Sequence, residues 1–381
     1  MTSSGALRLC LVAGEHSGDA LGAPLIEALR HASRRPLEIV GVGGELMAAQ
    51  GLQSLFPLSE VAVMGPLAIL ARLPQLLRRI RQTADAAIAA NIDALVIIDS
   101  PEFTHRVARR VRKQRPHLPI IDYVSPSVWA WRPGRARKMR AYVDHILAIL
   151  PFEPSVHERL GGPECTYVGH PLAQRVDELY GEEAQRDRDV LLVLPGSRVT
   201  EVRRLMQPFM QAVEKIAAAR PQSRIVIPAA ASVRPLIVEA VRNWPVDTQI
   251  VDGEAAKFAA FKHAGAALAA SGTVTLELAL AGVPMAVAYR LDPVAAALRF
   301  LMSAHSIVLP NLILGKNTIP EFIQQDCTPA RLSQCLLSLL DDGPARDAQL
   351  AAFRDVRRLT ASDGATPSAR AAAQILKVIA P

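Results

Sequence analysis

Aromatic residues make up only 4% of the 381-residue chain, and there are four cysteines. So few rings leave few platforms for stacked bases, and neither zinc-finger spacing nor an RNA-binding signature is present, so nucleic acid is not an expected partner. Cys10, Cys165, Cys327 and Cys335 form no CxxC pair, and Cys10 falls inside an apolar run, which argues against a zinc site and a disulfide framework. The nine histidines form no ligand cluster, so no metal is expected. Met1–Ala6 carries no basic segment and leads into a strand rather than a leader's apolar core, so a reducing cytoplasm is expected. No apolar run is fit to cross a bilayer. The most apolar stretch, Ala264–Tyr289, carries Glu277 near its middle, where a charge costs about 2.5–3.5 kcal/mol, and it is broken by Ser271-Gly272-Thr273 and Gly282-Val283-Pro284.

What is present describes a globular chain. Half of the residues are hydrophobic and 21% are charged, a balance that buries large cores. The length suits about two or three domains. The formal net charge of +7 is unevenly placed: residues 1–175 hold 21 Lys and Arg against 15 Asp and Glu, and residues 176–381 hold 22 against 21. Phe103–Val143 carries eleven basic residues and one acidic residue, Asp122. Such a surface either attracts polyanions or anionic headgroups, or is a solvated helix face.

Apolar runs of strand length alternate with helical patterns. Leu7–Ala13, Glu38–Val42, Ala94–Ile98, Ile120–Val124 and His145–Leu150 read as strands, with Ala20–His31 and Pro101–Arg115 as helices. After a polar stretch, Asp177–Asp189, the pattern restarts with Val190–Leu194, Arg224–Ile227, Gln249–Val251, Ala266–Ala269 and Pro284–Ala288. This alternation predicts an α/β protein with two Rossmann-like parallel-sheet domains. The expected division is 1–175, 176–330, and a C-terminal helical segment, 331–381, packed on one of the domains. Ligands of open α/β sheets lie beyond the carboxyl ends of strands, so two facing domains define a cleft and the residues just after strands are the informative ones.

Four turns answer that description. Gly14-Glu15-His16-Ser17-Gly18-Asp19 follows the first strand and opens a helix. Its spacing is neither GxGxxG nor a P-loop, but it either admits a ligand to the amides of a helix N-terminus or serves packing alone. Asp99, in Ile98-Asp99-Ser100-Pro101, stands at the tip of an apolar strand before a helix-starting proline, as a cap or as a general base. Pro195-Gly196-Ser197-Arg198 combines helix-terminal amides with a guanidinium suited to phosphate; the alternative is a capping turn in which Arg198 pairs with Glu201. In Ser271-Gly272-Thr273 to Glu277, Thr273 and Glu277 share a helix face, so the turn can hold a diphosphate while Glu277 accepts from ribose hydroxyls, unless Glu277 is a buried structural residue. His16 and His170 lie in glycine turns, as ligand contacts or as structural groups.

Two further stretches stand out. Ser125-Pro126-Ser127-Val128-Trp129-Ala130-Trp131-Arg132 places two of the three tryptophans in one short loop, beside Arg132 and Arg135. Val61–Ala71, with Met64, Leu67, Ile69 and Leu70, precedes Arg72, Arg78, Arg79 and Arg81. It is too short to span a membrane; it suits an interfacial helix, a slot for acyl chains, or a core helix with a basic rear face.

Taken in order, the Gly14–Asp19 turn, Ile98-Asp99-Ser100-Pro101, the tryptophan run, Val168-Gly169-His170-Pro171, Leu194-Pro195-Gly196-Ser197-Arg198, Ser271-Gly272-Thr273 to Glu277 and Leu309-Pro310-Asn311 resemble the lipid-A-disaccharide synthase family. The resemblance runs from about residue 9 to 330. It implies an inverting, metal-independent glycosyltransferase of GT-B fold without cofactors, which joins UDP-2,3-diacylglucosamine to 2,3-diacylglucosamine 1-phosphate and releases UDP. It further implies Asp99 as the catalytic aspartate, and Arg198, Glu277 and Asn311 as residues of donor binding or activity. The Gly14–Asp19 turn is expected on the acceptor side, and Met64, Leu67, Ile69, Leu70, Arg72, Arg78 and Arg79 against acyl chains or the anionic cytoplasmic face of the inner membrane. His16 and Glu102-Phe103-Thr104 depart from the family pattern. Other GT-B readings (a peptidoglycan glycosyltransferase, a UDP-sugar epimerase), a non-catalytic lipid-binding protein and a homodimer stay open at this point.

Overall fold

The computed structural model describes residues 5–62, 72–242, 244–291, 304–361 and 364–380. The chain divides into two compact units, Met1–Pro171 with Ser362–Pro381, and Leu172–Ala361.

The first unit is built on strands β1 (Leu7–Ala13), β2 (Leu37–Val42), β3 (Ala94–Ile98), β4 (Ile120–Tyr123), β5 (His145–Ala148) and β6 (Glu164–Tyr167). They form one parallel sheet in the order β2-β1-β3-β4-β5-β6. The central strand β3 is wholly buried, as a parallel strand covered by helices on both faces must be. Its side chains alternate between two cores: Leu95 and Ile97 pack with Cys10, Val12, Val107 and Val111, whereas Ala94, Val96 and Ile98 pack with Leu9, Leu11, Leu25 and Leu29.

The second unit repeats the plan with β7 (Asp187–Leu194), β8 (Arg224–Ala229), β9 (Thr248–Asp252), β10 (Ala264–Ala270), β11 (Met285–Tyr289) and β12 (Glu321–Ile323). Its parallel order is β12-β11-β10-β7-β8-β9. In each sheet the order reverses once, between β1 and β3 and between β7 and β10. Those reversals are where open α/β sheets hold their ligands. The doubly wound, two-sheet expectation therefore holds, and all four turns singled out from the sequence leave the strands that flank a reversal.

One expectation needs correction. The segment 331–381 does not pack on one domain. Helices Pro329–Leu340 and Pro344–Thr360 pack within the second unit, while Pro367–Ile379 lies on the helix His16–Ala32 and on β5 of the first unit, where Ala371, Ala372 and Ile375 join the core of Leu9 and Leu25. One side chain anchors the polar stretch Asp177–Asp189. The buried Arg186 donates to the carbonyls of Phe261 at 2.9 Å, Ala264 at 3.1 Å, Gly181 at 2.9 Å and Ala281 at 2.5 Å, tying the stretch into the second unit. Burial lowers its pKa to about 10.

Candidate active site

In the first unit, the turns after β1 and β3 interlock. A Cβ at Gly14 would stand 2.5 Å from the Ser100 Cβ, so only glycine lets the two turns meet. Asp99 and Ser100 both adopt left-handed backbone, with φ of +54° and +46°. Two such residues in succession carry strain of order 1–3 kcal/mol each, which the surrounding packing must hold. The half-buried Asp99 carboxylate is oriented by two donors: Ser17 Oγ gives a hydrogen bond to Oδ2 at 2.7 Å, and the Ser100 amide gives one to Oδ1 at 2.7 Å. Thr104 Oγ1 donates to the Asp99 carbonyl at 2.7 Å and fixes the turn from behind. Glu15 joins through Ser100 Oγ at 3.4 Å, and His16 is exposed on the same turn.

Asp19, grouped with this turn from the sequence, faces elsewhere. It is buried and accepts from the amides of Gly44 at 2.7 Å, Leu46 at 3.0 Å and Met47 at 3.0 Å, capping the short helix Glu45–Ala49. Its role here is structural, because those three donors consume the carboxylate.

The tryptophan loop is anchored at two points. Ser125 Oγ lies 2.7 Å from His157 Nε2, and Trp129 Nε1 donates to Glu153 Oε1 at 3.4 Å while its ring meets Phe152 edge-on. Burial pushes the Glu153 carboxyl up to about 8 against the hydrogen bonds from the Leu150 amide and Trp129. Trp129 is thus a packing residue, and Trp131 is exposed with the Arg132 guanidinium over its ring. His170 is buried, which lowers its pKa to about 4; this makes it a neutral structural group.

In the second unit, the turns after β7 and β10 line one hollow of about 550 Å³. Gly196, Ser197, Arg198, Ser271, Gly272, Thr273 and Glu277 all face it, so seven of the residues singled out from the sequence come together. Gly196 takes φ +114°, and a Cβ there would fall 2.5 Å from Glu201 Oε2. Arg198 forms the capping pair anticipated as the alternative, Nη1 to Glu201 Oε1 at 3.1 Å, and still stands 60% exposed on the hollow's wall. Ser271 Oγ donates to the Ile307 carbonyl at 2.6 Å.

Sequence reasoning missed Lys257. Its Nζ donates to both Glu277 oxygens at 3.0 Å, with both side chains largely buried, and it lines the hollow with Glu254 and Gly253. The available signal was Gly253, a glycine just after β9. Among the described residues, no group of three or more His, Cys, Asp or Glu side chains is placed to hold a metal ion.

The model of the lipid-A-disaccharide synthetase family matches residues 9–376. The chain belongs to this family. A lipid-A-disaccharide synthase of Rhodopseudomonas palustris (strain HaA2) is 50% identical over 99% of this chain and 98% of its own length. Another, of Paramagnetospirillum magneticum, is 38% identical over 97% of both. Among solved structures, MurG of Acinetobacter baumannii superposes with a TM-score of 0.61 at 13% identity, covering 98% of this chain and 99% of that one. At that identity the likeness speaks for the GT-B fold alone. The synthetase match runs on into the C-terminal helices, beyond residue 330 where the motif resemblance stops.

Family membership does not settle each residue's part. Asn311, expected in the synthetase donor site, is fully buried: Nδ2 donates to the Ile319 carbonyl and Glu321 Oε1 at 2.9 Å, and Oδ1 accepts from the amides of Thr318 at 3.0 Å and Ile319 at 2.9 Å. Its polar atoms are spent on the 318–321 turn, and it is not among the residues that line the hollow. Arg79, expected against lipid, instead clamps Glu60 through Nε and Nη2, each at 2.8 Å, and lies over the Phe56 ring. Arg72 and Arg78 are exposed. Met64, Leu67, Ile69 and Leu70 lie outside the described residues.

Proposed function

We propose that the chain transfers 2,3-diacylglucosamine from its UDP donor to the 6-hydroxyl of 2,3-diacylglucosamine 1-phosphate, forming the β-1,6-linked lipid A disaccharide 1-phosphate and UDP. The observation that carries this reading is the convergence of two helix-opening glycine turns on one hollow of the second unit. Helix-terminal amides and Arg198 there suit a diphosphate, and Glu277, held by Lys257, suits the ribose hydroxyls. The acceptor belongs to the first unit, at the Gly14–Gly18 turn.

Asp99 is the general base. It takes the proton of the acceptor hydroxyl as that oxygen bonds to the anomeric carbon, on the face opposite UDP, so the bond to the diphosphate breaks with inversion. The negative charge that leaves on UDP is met by the amides of Gly196–Arg198 and Ser271–Thr273. UDP release in detergent micelles tests the reading: release that requires the acceptor and persists in EDTA is expected. Release indifferent to the acceptor overturns it.

The acylated substrates also call for docking on an anionic membrane surface, at the cytoplasmic face of the inner membrane. Among the described residues no helix is long and apolar enough to cross a membrane, and the exposed Arg72, Arg78 and Leu77 supply an amphipathic edge. Each arginine near such a surface contributes about 1 kcal/mol. Arg78→Glu is therefore expected to weaken binding to phosphatidylglycerol vesicles at low salt by about tenfold or more. Unchanged co-sedimentation would sink the docking reading. Arg79→Glu should chiefly lower the melting temperature, since it sets two carboxylates against each other.

A further inference from the structure

A second hollow, of about 400 Å³, opens in the first unit beside the Asp99 turn. Its walls are Pro101, Glu102 and Gly134 with five cations: Arg106, Arg109, Arg132, Arg135 and Lys138. Glu102 is the single acidic wall residue, and it already pairs with Arg135 at 3.3 Å and Arg106 at 3.8 Å. Five positive charges held around one concavity against one negative charge form an arrangement that repels itself when empty and is relieved by a multiply charged anion.

One of the five is tied to a built polar relay. Arg109 Nη2 donates to the Tyr142 hydroxyl at 3.0 Å, and the guanidinium lies over that ring at 4.5 Å. The Tyr142 hydroxyl lies 3.1 Å from His105 Nδ1, and His105 Nε2 lies 3.0 Å from Asp122 Oδ2, with His105 and Asp122 buried. The tyrosine oxygen accepts from Arg109 and stands within hydrogen-bond reach of the buried His105 ring, which itself packs beside the buried Asp122 carboxylate. The relay spends buried polar groups on orienting a surface arginine.

Resting on the acceptor reading above, we propose that this hollow seats the 1-phosphate of the acceptor, with Arg109 as its fixed donor and Tyr142 as the positioning residue. A phosphomonoester carries nearly two negative charges at neutral pH and presents three terminal oxygens, which suits a concave cluster of cations better than the single charge of a membrane phosphodiester. The location suits it too, because Pro101 and Glu102 continue directly from Asp99 and the phosphate and reacting hydroxyl flank the same ring oxygen of the sugar. Arg106 and Arg109 also wall another hollow with Leu77, Ile80, Arg81, Arg110 and Lys113, so apolar side chains begin beside the phosphate seat within the same basic surface.

The test compares UDP release with 2,3-diacylglucosamine 1-phosphate and with phosphate-free 2,3-diacylglucosamine, in micelles, for wild type, Arg109→Gln, Arg109→Lys and Tyr142→Phe. The kcat/KM preference for the phosphorylated acceptor is expected to fall about tenfold or more in Arg109→Gln, carried by KM, and a few-fold in Tyr142→Phe, with partial rescue in Arg109→Lys. Inorganic phosphate should compete with the phosphorylated acceptor in wild type and lose that effect in Arg109→Gln. An unchanged preference in a variant of wild-type melting temperature overturns the proposal. So does a variant that loses only its binding to phosphatidylglycerol vesicles, which would make the hollow a membrane contact. If wild type releases no UDP with either acceptor, the transferase reading falls and this proposal with it.

Discussion

Asp99→Asn is expected to lower kcat by about 100-fold or more while leaving both KM values within a few-fold. The prediction is sharp because the substitution disturbs the geometry so little. The Ser100 amide can only donate, so an asparagine would turn its oxygen toward it and its NH₂ toward Ser17, where the hydroxyl can rotate from donor to acceptor. The side chain keeps its place and loses only its capacity to take a proton. Ser17→Ala removes one orienting bond but leaves the base and should cost far less. Steady-state rates for the two variants, read beside their melting temperatures, decide the matter. Turnover near wild type in Asp99→Asn would remove Asp99 as the base and leave its carboxylate as a clamp on the turn.

The turns were legible in the sequence because each combines two local signals, an apolar strand and a glycine or proline that opens the next helix. Central strands such as β3 and β10 are buried on both faces and so read as continuous apolar runs. The edge strands β6 and β12 were not legible: Glu-Cys-Thr-Tyr is largely half-exposed and Glu-Phe-Ile is three residues long, so neither leaves an apolar run to find. Roles set by distant partners were equally hidden. Arg79 looked like part of a lipid-facing basic cluster because its partner, Glu60, lies 19 residues back. Asn311 gave no sign of its saturation, since its four hydrogen bonds reach forward to a turn seven to ten residues away. The last helix, Pro367–Ile379, carries the same amphipathic pattern as its predecessors, and nothing local records that its apolar face belongs to the first unit.

Glu277 is where the two readings left open by the sequence give opposite results. The carboxylate is 12% exposed and receives both its short contacts from Lys257, so an ion pair that merely braces the second unit and an acceptor poised for ribose look alike at rest. Their energetics separate them. Hydrogen bonds to a charged acceptor are worth about 1.5–3 kcal/mol and neutral ones about 1 kcal/mol, so if the ribose hydroxyls donate to Glu277, Glu277→Gln should lower kcat/KM for the donor by about 10- to 100-fold. The nucleotide supplies a control that stability cannot mimic. UDP should inhibit wild type more strongly than 2′-deoxy-UDP, and in Glu277→Gln that preference should shrink, because a neutral acceptor replaces the charged one that reads the hydroxyl. A bracing pair predicts instead a lower melting temperature with the preference for UDP intact, and that outcome would return Glu277 to the scaffold and leave the ribose without an assigned acceptor.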